Sequence, residues 1–277
     1  MKILMIQTTQ MTQMIQTKMM TMSNSKNTEL VLILTAAGSS TRMGNDRSGY
    51  KIKKEYLPLN EGTVLSTAAK AFLSALDFSL VIVTYPFCSS EEENLLAQKK
   101  SMGALFADKS INQSKSKFIF IPGGSSRQSS VFEALKTAND FFKNAPSKTA
   151  NSPMVFIHDG ARPFVSSKII NDTLKAALEF GASVPGLQPV DTQKEIDSNG
   201  FIVRHLVRKN LVAVQTPQVF RLEPILKAHE EAAKSGKEFT DDTEIWDEFV
   251  DTQKYSRVKV VEGDSENKKI TYRSDIL

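Results

Sequence analysis

The sequence predicts an α/β fold: a mostly parallel, doubly wound sheet with a β-arm projecting from it. Three observations carry that expectation. Short continuous apolar runs recur at Leu30-Val31-Leu32-Ile33-Leu34, Leu80-Val81-Ile82-Val83, Phe118-Ile119-Phe120-Ile121 and Met154-Val155-Phe156-Ile157, as in strands buried on both faces. Helical patterns lie among these runs, and strand–helix alternation of this kind builds right-handed βαβ units. A segment from about Gln188 to Leu211 breaks the alternation with short β-like pieces around an Asn-Gly turn, a hairpin signal.

The first strand is expected from Leu30, directly before a run of small and polar residues. One helix is marked by Val131, Ala134, Leu135 and Ala138, whose i, i+3, i+4, i+7 spacing puts them on one face. A second is marked by Ile170, Leu174, Ala177 and Leu178, with Ser166 and Ser167 for capping and Gly181 beyond its end. The arm is read from Phe201-Ile202-Val203 and His205-Leu206-Val207 beside Asp197-Ser198-Asn199-Gly200. A ribbon that cannot bury both faces by itself suggests a partner subunit.

Residues 1–28 fall outside this scheme. They are rich in Met, Gln and Thr, and Ile3-Leu4-Met5-Ile6 is the longest apolar stretch, shorter than the ~7–15 residues of a secretory signal. They read as a disordered extension or a mis-set start, with Met20 or Met22 as the true one. Residues 29–277 read as one domain, with the arm at about 188–211.

Composition narrows the function. Apolar residues make up 40% and charged residues 24% of 277, which fits an ordinary globular core. No run approaches the roughly 18 apolar residues of a membrane span. One cysteine, Cys88, excludes an internal disulfide framework and a cysteine-based zinc site, and a reducing, cytoplasmic setting follows as the default. A net charge of +4 is too small to demand nucleic acid but suits an anionic small substrate. No aromatic stripe offers a base-stacking platform for RNA or DNA. His158, His205 and His229 are scattered, against a histidine metal cage or a Ser-His-Asp triad.

The residues that suit chemistry sit where strands end, as ligands do in such sheets. Ala36-Ala37-Gly38-Ser39-Ser40-Thr41-Arg42-Met43-Gly44 follows the first strand, where backbone N–H groups and the fixed charge of Arg42 can meet phosphate. It equally fits a glycine turn with a surface arginine; its spacing is neither a P-loop nor a dinucleotide fingerprint. The cluster Lys51-Ile52-Lys53-Lys54 could neutralise a polyanion or be a solvated patch. Gly123-Gly124-Ser125-Ser126-Arg127-Gln128-Ser129-Ser130 opens a helix, where small residues and hydroxyls can pack against a base; Ser126 or Ser129 serves equally as an N-cap. Asp159, at a strand end before Gly160, can hold Mg²⁺ or simply form a turn. Thr192 and Arg208 lie on opposite legs of the arm, a hydroxyl and a guanidinium suited to a phosphate monoester. Thr240-Asp241-Asp242-Thr243 marks a helix start.

Taken in order, these segments resemble the 2-C-methyl-D-erythritol 4-phosphate cytidylyltransferase family of the non-mevalonate isoprenoid pathway. The resemblance runs from about Leu30 to the end, through AAGSSTRMG, KKEYLPL, GGSSRQSSV, HDGARPFV, PVDT, VQTPQVF, TDDT and NKKIT. It implies a Rossmann-like nucleotidyltransferase fold, Mg²⁺, and a homodimer formed through the arm. The implied substrates are CTP and methylerythritol phosphate. Carried over by position, Arg42, Lys54 and Lys269 would surround the triphosphate and the α-phosphorus. Of the adjacent lysines, Lys54 directly precedes the Glu-Tyr-Leu. Gly124 and Ser130 would contact the cytosine, with Ala36, Ala37, Gly38, Gly160 and Thr216 in the nucleotide site and Asp159 by the metal. Arg162, Thr240 and, from the partner subunit, Thr192 and Arg208 would hold the acceptor. Val212 stands where the family often has an aromatic residue.

Three other functions compete. Ribitol 5-phosphate cytidylyltransferases share the fold and nucleotide site, but the Ala-Ala-Gly opening and Ala161 before Arg162 lean toward methylerythritol phosphate. A non-catalytic nucleotide-binding relative would tend to lose Arg42, Lys54, Asp159 and Lys269, and all are present. A sugar-nucleotide glycosyltransferase usually carries an Asp-x-Asp motif, which is absent.

Overall fold

Strand β1 (Leu30–Thr35) lies inside the sheet because every one of its apolar side chains has a covered face to enter. The computed structural model describes residues 28–44, 52–144 and 152–275; the segment read as an extension lies outside these, apart from Thr28, as does Lys51. β1 pairs in parallel with β4 (Leu80–Tyr85) on one side and β6 (Met154–Asp159) on the other. A small hairpin, β2 (Pro58–Leu59) and β3 (Gly62–Thr63), precedes β4 in the chain. β5 (Lys117–Pro122) pairs with β4 alone and forms one edge. The run at Phe118–Ile121 is therefore only half-buried, a correction to the expectation of burial on both faces. An apolar run does not distinguish an inner strand from an edge whose faces are covered.

Beyond β6 the sheet turns mixed. β11 (Gln218–Arg221) runs antiparallel between β6 and β7 (Ala182–Leu187), and β10 (Ala213–Val214) pairs with the far end of β7. Ser183 pairs with both Val219 and Lys259, so β12 (Lys259–Glu262), parallel to β7, occupies the opposite side of that strand. The strand order is that of a doubly wound sheet with two reversed strands, β10 and β11.

Helices cover both faces. α1 (Val64–Ala75), α2 (Glu91–Leu105) and α4 (Ser167–Phe180) pack Leu65, Phe72, Leu105, Ile170 and Leu174 against Leu32, Leu34, Val81, Val83 and Phe156. α3 (Arg127–Asn144), α5 (Leu222–Ser235) and α6 (Asp242–Phe249) pack Val131, Leu135, Ile225 and Trp246 against Val31, Ile33, Ile82, Val155 and Ile157. Successive β-residues point to opposite faces, so one strand feeds both layers. Each fully buried aliphatic side chain contributes about 1.5–3 kcal/mol. The expected α3 and α4 faces are buried, Leu178 only in part, and Ser166 caps α4, with its Oγ accepting from the Ile169 N–H. Among the described residues no helix is long and apolar enough to cross a membrane.

The arm is a separate two-stranded ribbon, β8 (Lys194–Ile196) and β9 (Ile202–His205). Asp197 Oδ1 accepts from the N–H groups of Asn199 and Phe201, and Gly200 takes φ +86°, which closes the turn. The expected strand piece His205-Leu206-Val207 is not one: β9 ends at His205, and Arg208–Asn210 forms a 3₁₀ turn. The pairing leg is Lys194–Ile196, whose Lys and Glu hid the apolar alternation.

Candidate active site

A cleft of about 1120 Å³ opens across the carboxyl ends of β1, β4, β5 and β6. The parallel register sets Thr35 level with Thr84 and Asp159, so the loops that follow leave the sheet side by side.

The loop after β1 is held at both ends. Ala36 donates its N–H to Thr84 Oγ1 at 3.0 Å. Ser40 takes φ +51°, Thr41–Met43 forms a 3₁₀ turn with Met43 buried, and Gly44 takes φ +70°. Burying Met43 leaves its neighbour Arg42 exposed at the cleft wall. The adjacent lysines divide their work. Lys53 donates Nζ to the Gly38 carbonyl and lies 3.1 Å from Glu55 Oε2, which itself accepts from Ser40 Oγ. Lys54 turns into the cleft and donates to the Ile270 carbonyl at 2.9 Å. Burial pushes the Lys54 ammonium below its ordinary pKa; Glu55 opposes this, and Lys269 and Arg42 add to it.

Asp159 ends β6 at the cleft floor. Lys269 Nζ lies 2.8 Å from its Oδ2, Arg162 Nε 3.6 Å from the same oxygen, and Arg127 Nε 3.9 Å from Oδ1. Burial works to raise the carboxyl pKa, but Lys269, Arg127 and Arg162 outweigh it and hold the group well below the usual carboxylate range. Lys269 is placed by its flanks: Asn267 and Ile270 are buried, Asn267 Nδ2 donates to the Thr216 carbonyl, and Ile270 N–H donates to the Ala161 carbonyl. Behind Asp159, Thr216 Oγ1 accepts from the Asp159 N–H and donates to His158 Nδ1, whose Nε2 donates to the Arg162 carbonyl. Burial drives the His158 pKa down to about 4, so the ring is neutral in this chain of bonds.

The loop between β5 and α3 forms the other end. Ser126 Oγ accepts from the Ser129 N–H, and Ser129 Oγ accepts from the Ser126 N–H. Both hydroxyls therefore cap the helix. Ser130 lines the cleft, but its hydroxyl accepts from the Gly124 N–H and donates to the Ser126 carbonyl. Its first effect is to shape the loop. Both glycines of this loop are sterically required: a Cβ on Gly123 would stand 2.3 Å from the Ala37 Cβ, and one on Gly124 2.6 Å from the Ser129 Cβ.

Of the residues expected from sequence, Ala37, Gly38, Arg42, Lys54, Gly124, Ser130, Asp159 and Lys269 line this cleft together. Ala36, Gly160 and Thr216 support its floor from below: a Cβ on Gly160 would stand 3.1 Å from the Thr35 carbonyl oxygen. Arg162 sits beside Asp159 and donates to the Asn267 carbonyl. Thr240 is exposed and bonds Glu244 at the start of α6, and it is not a lining residue. Thr192 and Arg208 stay on the exposed arm, where Arg208 donates to the Val190 carbonyl at 2.6 Å, two residues before Thr192. Neither lines the cleft of its own chain.

Sequence reasoning left Arg127 unassigned. It spans from Asp159 to Asp242, with Nη2 2.8 Å from the fully buried Asp242 Oδ2, while His229 Nε2 meets Oδ1 at 3.1 Å. Its place in the Gly-Gly-Ser-Ser-Arg segment was the one available signal, because both carboxylates are distant in the chain. Among the described residues no group of three or more His, Cys, Asp or Glu side chains comes together to cage a metal. Asp159 alone still fits Mg²⁺, which is commonly held by one or two carboxylates together with substrate phosphates.

A cationic cleft at the strand ends of a doubly wound sheet, with a glycine-containing loop after β1, is the arrangement a nucleotidyltransferase needs. The model of the 2-C-methyl-D-erythritol 4-phosphate cytidylyltransferase family matches residues 30–277, and the chain belongs to that family. A relative of that name from Clostridium beijerinckii is 36% identical over 250 residues, covering 88% of this chain and 94% of the relative. Another, from Desulforamulus reducens, is 32% identical and covers 90% and 93%. The crystal structure of the same-named enzyme from Thermus thermophilus superposes with a TM-score of 0.60 at 28% identity, covering 90% of this chain and 95% of that one. The 4-diphosphocytidyl-2C-methyl-D-erythritol synthase from Anaerococcus prevotii gives 0.67 at 23% identity, covering 91% and 94%, which bears on the fold alone.

Proposed function

We propose that this chain transfers CMP from CTP to 2-C-methyl-D-erythritol 4-phosphate, giving 4-diphosphocytidyl-2-C-methyl-D-erythritol and pyrophosphate. The observation that carries the reading is the meeting of Arg42, Lys54 and Lys269 on one cleft with Asp159. Two polyanions must approach each other in this reaction, and fixed cations offset their repulsion.

The nucleophile is a phosphate oxygen of the acceptor. Its second pKa is about 6, so it is largely dianionic at neutral pH and needs no general base. His158 has no catalytic proton to give, since both its nitrogens are bonded within the floor. A new bond forms from that oxygen to the α-phosphorus. The bond from the α-phosphorus to the bridging oxygen breaks, and the electron pair leaves with pyrophosphate. Arg42, Lys54 and Lys269 stabilise the charge on the transferring group, and the loop from Gly38 to Gly44 presents backbone N–H groups to phosphate. Gly124 and Ser130 bound the base end. Asp159 would hold Mg²⁺ brought with the triphosphate, and that ion would add charge neutralisation.

The acceptor's phosphate is assigned to Arg162 and Thr240, with the partner subunit supplying its own copies of Thr192 and Arg208. The homodimer reading is supported by the arm, where Val190, Ile196, Phe201, Ile202, Val203 and Val207 are all more than half exposed. A cytoplasmic location accords with substrates that are phosphorylated metabolites.

The decisive experiment mixes the protein with Mg²⁺, CTP and either methylerythritol phosphate or ribitol 5-phosphate and follows pyrophosphate release. Turnover is expected with the first acceptor. Turnover with ribitol 5-phosphate alone would replace the acceptor assignment, and tight CTP binding without any turnover would leave a nucleotide-binding protein.

A further inference from the structure

One large apolar side chain in the cleft has no role in the reaction described above. Phe87 is 66% exposed, and among the described residues it is the only exposed large hydrophobic side chain that lines the cleft. A single exposed ring is ordinary on a protein surface, but one that lines a cleft is placed to pack against what binds there.

Its place is set by the sheet. Tyr85 at the end of β4 is in register with Pro122 at the end of β5, and the Gly123 N–H donates to the Tyr85 carbonyl at 2.7 Å. Pro86 and Phe87 therefore leave the sheet alongside Gly123 and Gly124. That is the β4–β5 side of the cleft, where Gly124 and Ser130 lie, whereas Lys269 pairs with Asp159 at the end of β6 and Arg127 is held by Asp159 and Asp242. An aromatic face beside a loop kept small by Gly123 and Gly124 suits a flat, apolar-faced ligand group with hydrogen-bonding edges. A nucleobase is such a group. The phosphates, needing charge, belong at the other end.

We infer that Phe87 is a nucleobase-contacting residue, its ring packing against the base of the bound nucleoside triphosphate. The inference rests on the reading of the cleft as the CTP site. A π-face contact is tolerant of base identity, so Phe87 adds affinity for the nucleoside half and leaves the choice of cytosine to the loop edges. Binding of the triphosphate moiety does not involve it.

The test compares wild type with Phe87→Ala, Phe87→Tyr and Phe87→Trp, measuring affinity for CTP and, separately, for inorganic triphosphate. Phe87→Ala is expected to weaken CTP about 5- to 150-fold, the usual range for a lost base–aromatic contact. Inorganic triphosphate should bind all variants alike, and Phe87→Tyr should restore CTP affinity. In steady state, KM for CTP should rise with little change in kcat, the mark of a uniform binding contact. The native Trp246 is buried at 1% exposure, so the introduced indole in Phe87→Trp reports directly, and its emission should change on adding CTP. Unaltered CTP affinity in Phe87→Ala, or an equal loss for inorganic triphosphate, overturns the inference. Wild-type turnover of CTP separates the two readings. If it is present and Phe87→Ala binds CTP normally, only the Phe87 role falls; if wild type binds no CTP, both fall.

Discussion

Lys269 Nζ stands 2.8 Å from Asp159 Oδ2, so the cation assigned to the triphosphate is tethered to the carboxylate assigned to the metal. A lysine held by a partner at the cleft floor has lost much of its rotamer freedom before substrate arrives, and such placement is what makes a charge effective at a developing transition state. Lys54 is held similarly through the Ile270 carbonyl, on the same segment that carries Lys269. Lys54→Ala and Lys269→Ala are each expected to lower kcat by two or more orders of magnitude, roughly the cost of losing one well-placed charge-stabilising group. Steady-state kinetics with CTP and methylerythritol phosphate checks this, and near-wild-type turnover in either variant would refute the assignment.

Lys53 should behave differently from its neighbour. Its ammonium is spent on the Gly38 carbonyl and Glu55, which pins the loop. Burial lowers its pKa, while Glu55 acts to restore the charge. Lys53→Ala is expected to raise KM for CTP several-fold by loosening that loop, with a smaller loss of kcat than Lys54→Ala. If the two variants lose kcat equally, the division of labour between them is wrong.

The central sheet was legible because Leu30–Leu34 and Met154–Ile157 are apolar on both faces and end abruptly in polar loops. The α3 and α4 faces were legible from spacing, since Val131 and Leu135 or Ile170 and Leu174 share a side of their helices. The edge position of β5 was not, because a half-covered edge and an inner strand carry the same residues. Singly, Arg42 or Asp159 read as surface or turn residues, and the ordered motifs were needed to join them. Arg127 stayed hidden for a related reason. Its role depends on Asp159 and Asp242, and only the packing of β6 and α6 around α3 brings those carboxylates to one guanidinium. The split between Lys53 and Lys54 depended on which ammonium faces Gly38 and which faces Ile270, a matter of backbone direction in a short 3₁₀ turn.

The arm predicts an oligomer. Ile196 pairs with Ile202 across the ribbon, and Phe201 and Val203 flank Ile202, so apolar side chains emerge on both faces and stay more than half exposed among the described residues of their own chain. An isolated hairpin is marginal at best in water and gains stability from packing. Ile202→Asp is expected to turn a dimer into a monomer in sedimentation velocity and to abolish turnover, since Thr192 and Arg208 would no longer reach a neighbour's cleft. Arg208→Ala should leave the dimer intact and raise KM for the acceptor at least tenfold, about the value of a charge-assisted phosphate contact. A monomeric, fully active wild type would sink this reading.

The neutral His158 predicts how stability depends on pH. Its folded pKa lies near 4, against 6.5 for the free side chain, because burial disfavours the imidazolium while Thr216 Oγ1 and the Arg162 carbonyl satisfy the neutral ring. Between those values the unfolded chain binds a proton that the folded one does not, so stability rises with pH across that window. As pH falls from 6.5 toward 4 the folded state loses ground, by about 2–3 kcal/mol at pH 4.5. The depressed carboxyls of Asp159 and Asp242 lose their stabilising effect mainly below that range, as their unfolded counterparts protonate near pH 4. Urea melts at pH 7 and pH 4.5 should therefore show a large drop for wild type and a smaller one for His158→Gln, which has no proton to take up. Equal drops in both proteins would mean that His158 titrates normally in the folded state, and the bonded floor beneath Asp159 would have to be redrawn.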